Sequence, residues 1–557
     1  MTRSISSVTE TARLTSGGPP RVRHALILIY YIPLMLILGS VSITEPVSPE
    51  LKIVLVSVGA VAFWRYCWQG VHFLRAIYYL VRRFPRLRKA ATALGDRDRL
   101  REIYVVITSF RIETAVTLAV YRALFNEALR YGAKTTIVAA ITDPADEQLL
   151  RYLLDSLEGP HRVEILIMYQ TGAGKRTAMA EALRAIARRM PGADAVVALM
   201  DGDVILESGI FAKCLPFFVL SPKLGALTVN NRAIANGSSG VGSWYALRFA
   251  QRHIYMSSAS LSRRLLVLTG RFSLFRATIA ADPDFIRAVD EDYVNHWRHG
   301  PIRLLTGDDK STWLWVLQRG WEMLYVPDAT VASVEHLPNR HFVTSSINLM
   351  HRWFGNMLRA NMRALPMGPG RMGLFTWWCL VDQRISMWTS LVGPTLAIIG
   401  AVHVSWRAVP AYMAWVMATR LVQSGMISAV SGRFDGYYPI LLYYNQLVGA
   451  SVKIYVAFRV ERQSWTRQGI TTGTHSSSWS EFWHSAWSAY FQSVSVALLI
   501  LLLCFYSGAL SVPTPAFLRT MLQSSLAPPC GSMTVSCYRT ANQIDRSRGY
   551  GHVFVQR

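Results

Sequence analysis

Charge is scarce in this 557-residue chain. Asp, Glu, Lys and Arg together make up 17% of it, against roughly a quarter in ordinary globular domains. The shortfall lies with the acids, 34 against 58 Lys and Arg, and leaves a net charge of +24. No zinc-finger spacing, aromatic RNA platform or basic zipper accompanies that excess, so no nucleic acid is expected as a partner. Cysteine is also sparse. Cys67, Cys214, Cys379, Cys504, Cys530 and Cys537 form no CxxC pair, which excludes a zinc site and a disulfide framework. A Cys530–Cys537 bridge would depend on the side of a membrane on which the tail lies. The histidines show no ligand spacing, and no Ser/His/Asp grouping suggests a nucleophile.

Apolar residues are abundant instead, at 51%, with several runs approaching the roughly 20 residues that cross a bilayer. A basic tail (1–23) precedes an apolar stretch, an acidic loop "TEPVSPE", a second apolar stretch and the basic "RRFPRLRK". Basic, acidic, basic across two spans (24–82) places the N-terminus and everything after Arg82 in the cytoplasm. Arg65 and Arg75 are awkward in a span; the run is expected to tilt or to end as an interfacial helix with these side chains snorkelling. From 83 to 340 short Val- and Ile-rich runs alternate with helical patterns, which predicts an α/β domain with a mostly parallel sheet covered on both faces. Such sheets take ligands beyond the carboxyl ends of their strands. Residues 341–388 read as interfacial amphipathic helices, and 389–512 as a membrane-spanning region. Within it, 437–458 reads as a re-entrant helix, because counting it as a span would put the basic 459–470 outside. The tail, 513–557, has the composition of a disordered segment.

Four stretches could carry chemistry. "VVALMDGDVIL" ends an apolar strand in Asp201 and Asp203, two carboxylates at i and i+2 on one face. They repel unless a cation such as Mg²⁺ lies between them; the alternative is an Asp-Gly hairpin turn. "TGAGKRT" is not a phosphate loop, since Tyr169 and Arg176 stand where that pattern needs Gly and Ser/Thr. Gly-rich backbone before Lys175 and Arg176 at a helix start still suits a diphosphate, or is a solvated basic turn. "GDDKSTWLWVLQRGW" places Asp308 and Asp309 before a helix whose Trp313, Leu317 and Trp321 form a core stripe. The acids are N-capping residues, or a general base whose pKa the neighbouring charge raises. "LTGRFSLFRA" reads as a turn, "MHRWFGNMLR" as an interfacial helix, and Asp290, Glu291 and Asp292 as a solvated acidic face.

Taken in order, Gly-Lys-Arg, Asp-Gly-Asp, Thr-Gly-Arg-Phe-Ser, Gly-Asp-Asp-Lys and Arg-Trp resemble the processive family 2 glycosyltransferases, the membrane synthases of cellulose, chitin and hyaluronan. "TSFRIET", "GKRTAM", "GDDKSTWLWVLQRGWEMLYVPD", "RWFGNMLR", "DQRISMW", "LLYYNQLVGASVKIYV" and "RQSWTRQ" are closer still to the glycosyltransferase subunits of bacterial alginate synthesis, the mannuronan synthases. The similarity runs from about 100 to 470. It implies a cytosolic GT-A-like nucleotide-sugar transferase domain inserted between transmembrane and interfacial helices. By position it implies Lys175 and Arg176 at the donor diphosphate, Asp201 at the nucleotide sugar, and Asp203 with Asp201 at a Mg²⁺ or Mn²⁺ ion. Asp309 would be the base with Asp308 beside it, and Thr269, Gly270 and Arg271 would touch the acceptor. Arg352 and Trp353 would stand for the family's Gln-x-x-Arg-Trp, whose Gln position is Leu349 here. Trp465, Thr466 and Arg467 would form a gating segment on the acceptor.

The resemblance further implies a bacterial inner-membrane enzyme polymerising mannuronate from GDP-mannuronate into polymannuronate. A separate cyclic di-GMP-binding co-polymerase subunit and periplasmic export proteins are the implied partners. The rivals are a sister synthase using a UDP sugar and a non-catalytic membrane scaffold.

Overall fold

The alternation between 83 and 340 is the part of the chain whose folding can be followed most directly from its residues. The computed structural model describes residues 21–43, 49–157, 162–170, 174–235, 239–335, 341–465, 470–471 and 478–510. Two long helices come first, α1 (Arg21–Ile43) and α2 (Pro49–Tyr78); α2 continues through a π-helical turn, Tyr79–Arg83, into α3 (Phe84–Thr92). The α/β domain then runs β1 (Glu102–Thr108), α4 (Thr114–Tyr131), β2 (Lys134–Ile141), α5 (Pro144–Asp155), β3 (Val163–Tyr169), α6 (Lys175–Arg188), β4 (Val196–Asp201), β5 (Val204–Leu206) and β6 (Leu224–Ala235). It continues with α7 (Ser239–Ser260), β7 (Phe272–Arg276), α8 (Pro283–Asp290), the hairpin β8 (Tyr293–His296) and β9 (Gly300–Arg303), α9 (Asp308–Gln318) and β10 (Glu322–Glu335). The helices α10 (Phe342–Ala364), α11 (Leu374–His403), α12 (Ala408–Ser431) and α13 (Tyr438–Ala457) follow, then the two-residue strands β11 (Ser464–Trp465) and β12 (Ile470–Thr471), and α14 (Ser478–Tyr506).

Local signals explain several boundaries. Asp143 caps α5 by accepting from Ala145 N at 2.9 Å, with Pro144 at the first helical position. The core of the domain is Val- and Ile-rich strand against helix: Ile103, Val105, Ile137, Val138 and Val197 are fully buried. Trp313 and Leu317 are buried as their spacing predicts, while Trp321 lies beyond the end of α9.

The sheet has the order β3-β2-β1-β4-β7-β6-β10-β5. Its first half is parallel, as expected: β1 pairs with β2 and β4, and β2 with β3. The second half is mixed, because "RFSLFR", read as a turn, is instead β7, inserted antiparallel between β4 and β6. β7 therefore begins where β4 ends, bringing Thr269, Gly270 and Arg271 to the carboxyl edge of the parallel strands.

Other expectations change with the fold. Arg65 and Arg75 do not snorkel: Arg65 pairs with Asp382 of α11. Arg75 donates to Ser258 O (3.1 Å) and Ser262 Oγ (2.8 Å) and lies 3.7 Å from the Phe375 ring. Intramolecular partners hold these guanidinium groups where water was the expected partner, although Arg75 Nε is buried without a hydrogen-bond partner. The acidic run is not a solvated face either. Asp292 is buried and pairs with Arg363 at 2.5 Å, Asp290 pairs with Arg184 at 2.5 Å, and Glu291 alone is exposed. The segment read as a re-entrant helix, 437–458, is the helix α13, packed against α10, α11 and α12. Two described helical segments are long and apolar enough to cross a membrane, Leu374–His403 and Phe482–Tyr506. The proposed tail, 513–557, with Cys530 and Cys537, lies outside the described residues.

Candidate active site

Three chain segments converge at the carboxyl end of β4. Its last residue, Asp201, sits in register with Thr108 of β1. The Asp201 amide donates to Arg271 O at 3.3 Å, and the Gly202 amide to Thr108 O at 3.1 Å. A Cβ on Gly202 would lie 2.3 Å from Ser109 Oγ and 2.7 Å from Ile112 Cδ1, so only glycine allows the chain to pass this close. The hairpin alternative is excluded because β5, which follows, pairs with β10 and not with β4.

Lys175, the first residue of α6, is the centre of the cluster. Its Nζ lies 2.7 Å from Asp201 Oδ1 and 2.8 Å from Asp308 Oδ2. Gly270 closes the group from above: a Cβ there would be 3.5 Å from Lys175 Nζ, 3.6 Å from Asp308 Oδ2 and 3.7 Å from Asp201 Oδ2. Burial works against the Lys175 charge, but the two carboxylates outweigh it and raise its pKa above the ordinary lysine value.

The two aspartates of α9 are driven apart by their surroundings. Burial disfavours both carboxylates. Lys175 outweighs that for Asp308, whose pKa falls below the usual value. Asp309 stays above the usual value, because burial and the neighbouring Asp308 outweigh the Lys310 charge. Lys310 is itself pushed down to about 8 by burial, and its Nζ donates to Leu266 O at 3.2 Å. One carboxylate committed to an ion pair beside another with raised basicity is an arrangement suited to a general base. Neither acts as the N-cap; that position is Gly307, with φ +89°, and no side chain caps the helix. A Cβ on Gly307 would lie 3.0 Å from Asn356 Cγ of α10, and Thr306 Oγ1 donates to Asn356 Oδ1 at 2.8 Å.

The remaining predicted residues divide by where their side chains point. Asp203 is half-buried beyond Asp201, its carbonyl accepting from Val334 N at 2.9 Å. Arg176 turns inward: it is 5% exposed, donating to Val289 O at 2.9 Å and Ser311 Oγ at 2.8 Å. It thereby ties α6 to α8 and α9 while Lys175 faces the cluster. Thr269 is also turned in, its Oγ1 3.0 Å from Thr228 Oγ1. Arg271 pairs with Glu335 at 2.5 Å and donates from Nε to Ser333 Oγ at 3.1 Å. Burial opposes the Arg271 charge, but Glu335, then Asp201 and Asp203, raise its pKa. Arg352 adds to the positive field that lowers the pKa of Glu335 against burial and behind Arg271. The Trp353 ring stacks on Trp244, with centroids 5.7 Å apart and planes 15° apart. Leu349 is buried in the same apolar cluster. Trp465 lies in β11; Thr466 and Arg467 lie outside the described residues.

A cavity of about 650 Å³ opens beside this cluster. Asp309, Gly270, Arg271 and Trp353 border one end, and the space continues between α2, α7, α11, α12 and α13. A second cavity, of about 350 Å³, lies at the ends of β1 and β2 against Arg111, Thr142, Asp143 and Asp146.

Comparison with known proteins identifies what carries this arrangement. Residues 101–356 match the family model described as glycosyltransferase like family 2. The glycosyltransferase alg8 of Pseudomonas syringae pv. tomato is 41% identical over 473 residues, 84% of this chain and 96% of its own. That of Azotobacter vinelandii is 41% identical over 492 residues, 87% of this chain and 99% of its own. The chain belongs to the Alg8 glycosyltransferase family. Among solved structures, the mannosyltransferase PcManGT from Pyrobaculum calidifontis, in complex with GDP-Man and Mn²⁺, matches 72% of this chain and 98% of its own, at 14% identity and a TM-score of 0.39.

The chain is thus a membrane-associated glycosyltransferase with a mixed α/β sheet, as its motifs implied. Sequence reasoning missed the groups that surround those motifs. Glu335 lies at the end of an unremarked strand, and Lys310 was passed over inside its own motif. Arg248, Arg252, Arg420 and Lys453 stand in helical segments and reach the cavity. The available signal was an unexplained basic residue inside an otherwise apolar helical run.

Proposed function

We propose that this glycosyltransferase polymerises mannuronate from GDP-mannuronate, processively and with inversion, at the bacterial inner membrane. Its catalytic domain lies on the cytoplasmic side of a multi-pass helical region. The observation that carries the reading is that Asp309 lines a cavity that continues between the helices. A product formed there has a path away from the site while its end stays beside the base.

In this reading Asp309 takes the proton of the acceptor hydroxyl as that oxygen forms its bond to the anomeric carbon. The bond from that carbon to the diphosphate breaks on the opposite face, and GDP leaves with the electron pair. Lys175 stabilises the departing charge and orients the donor, with Asp308 and Asp201 holding its ammonium in place. Gly270, Arg271 and Trp353 border the acceptor. Arg176 acts as a positioning residue, fixing the start of α6.

Asp201 and Asp203 suit Mg²⁺ or Mn²⁺. Among the described residues no group of three or more acidic, His or Cys side chains could hold an ion unaided, so phosphate and water would complete the shell. When bound, the ion supplies further neutralisation of the diphosphate. A cyclic di-GMP-binding co-polymerase subunit and periplasmic export proteins are the proposed partners.

The test is polymer synthesis by isolated membranes with GDP-mannuronate or UDP-glucose as the donor. Mannuronan from the former is the expected result. Polymer from UDP-glucose alone would sink the assignment, and unchanged product from an Asp309→Asn protein would favour a scaffold.

A further inference from the structure

Besides Lys310 at the catalytic end, four basic side chains line the inter-helical cavity with no carboxylate at ion-pair distance among the described residues: Arg248 and Arg252 on α7, Arg420 on α12 and Lys453 on α13. Their contacts are with neutral groups. The Arg248 guanidinium sits 4.7 Å from the Trp353 ring centre and 5.9 Å from that of Phe354. Lys453 Nζ lies 4.8 Å from the same Phe354 ring. Arg252 donates to Asn231 Oδ1 at 2.7 Å, and its Nη2 is buried without a hydrogen-bond partner. Arg420 donates to the amide oxygens of Gln423 and Gln446. The acids nearby are engaged elsewhere: Asp382 pairs with Arg65, and Asp309 belongs to the catalytic end.

Cations held among aromatic rings and helices without counter-charge are costly unless a ligand supplies it. These four also follow a path. Arg252 lies beside the carboxyl end of β6 through Asn231, and Arg248 is one turn away on the same face of α7. Arg248 and Lys453 share the Phe354 ring. Gln446, which accepts from Arg420, precedes Lys453 by two turns of α13, roughly 10 Å along its axis. Ring and amide contacts keep each side chain in place without neutralising it. The hold on any one anion is then weak enough for release.

We propose that Arg252, Arg248, Lys453 and Arg420 form a cationic ladder that holds successive carboxylates of the growing glycan and selects a uronate polymer over a neutral one. This rests on the transferase reading above and names the class of polymer that the cavity accepts.

The test uses the full chain in nanodiscs, with a mannuronate hexamer and its carboxyl-reduced, neutral counterpart as probes. The acidic hexamer is expected to bind about tenfold tighter or more at low salt, with the gap closing as salt rises. Arg248→Gln with Lys453→Gln should abolish the preference, whereas Arg248→Lys with Lys453→Arg should keep most of it. Equal affinities in the unmodified protein, which needs no variant to fold, would overturn the ladder; so would a preference that the Gln pair leaves intact. Polymer made from GDP-mannuronate with no such preference removes the ladder and leaves the transferase reading standing. Polymer from UDP-glucose alone removes both.

Discussion

The sheet edge and the inter-helical cavity treat charge in opposite ways. At the sheet edge the groups around the donor site are paired: Lys175 lies between Asp201 and Asp308, and Arg271 is held by Glu335. In the cavity Arg65 pairs with Asp382, but Arg248, Arg420 and Lys453 rest on aromatic rings and amides. The first pattern is that of a preorganised site, whose dipoles are set before the donor arrives and need little rearrangement during reaction. The second awaits a ligand. A molecule that must react at one place and slide through the other needs both, because tight pairing aids chemistry whereas loose pairing permits movement.

Breaking the sheet-edge pattern should give the largest effects. Asp309→Asn removes the base and should lower transfer by about 10² to 10⁴-fold, measured as GDP release from GDP-mannuronate by membranes that retain the protein. Lys175→Met leaves Asp201 and Asp308 without their shared cation. Its expected cost is about 3 kcal/mol of stability, read as a lower Tm, together with a loss of donor binding. Gly202→Ala forces a methyl group against Ser109 and Ile112. It should cost about 2 kcal/mol, with a Tm shift smaller than that of Lys175→Met.

The smallest effect sharpens the comparison most. Activity needs Asp309 deprotonated, so the rate rises with pH through its pKa. Lys310 lowers that pKa and Asp308 raises it. Lys310→Met should therefore move the acid limb of the pH–rate profile to higher pH, and Asp308→Asn to lower pH. Both limbs should be compared below about pH 8, where Lys310 keeps its charge in the unmodified protein. A profile indifferent to both changes would show that Asp309 is not the titrating base.

Much of this was legible in the chain itself. The strands β1 to β4 and helices α4 and α6 follow from runs of Val and Ile alternating with helical patterns, since periodicity and apolarity are local properties. The Asp-Gly-Asp stretch could be placed at a strand end for the same reason. Arg176 shows the limit: it adjoins Lys175 in sequence, but packing against α8 and α9 turns it into the protein. Asp292 was misread because its partner, Arg363, lies 71 residues away.

The sequence alone determined the strands and helices of the parallel half of the sheet, which motifs belong to a family 2 glycosyltransferase, and which acids are candidates for chemistry. Only the tertiary structure decided that Lys175 and Asp308, 133 residues apart, share an ion pair. It also decided that β7 enters antiparallel to carry Gly270 to them, and that basic residues of three helices face one cavity. Secondary structure answers to neighbours within a few residues, whereas a charge answers to whatever the fold places within a few ångströms.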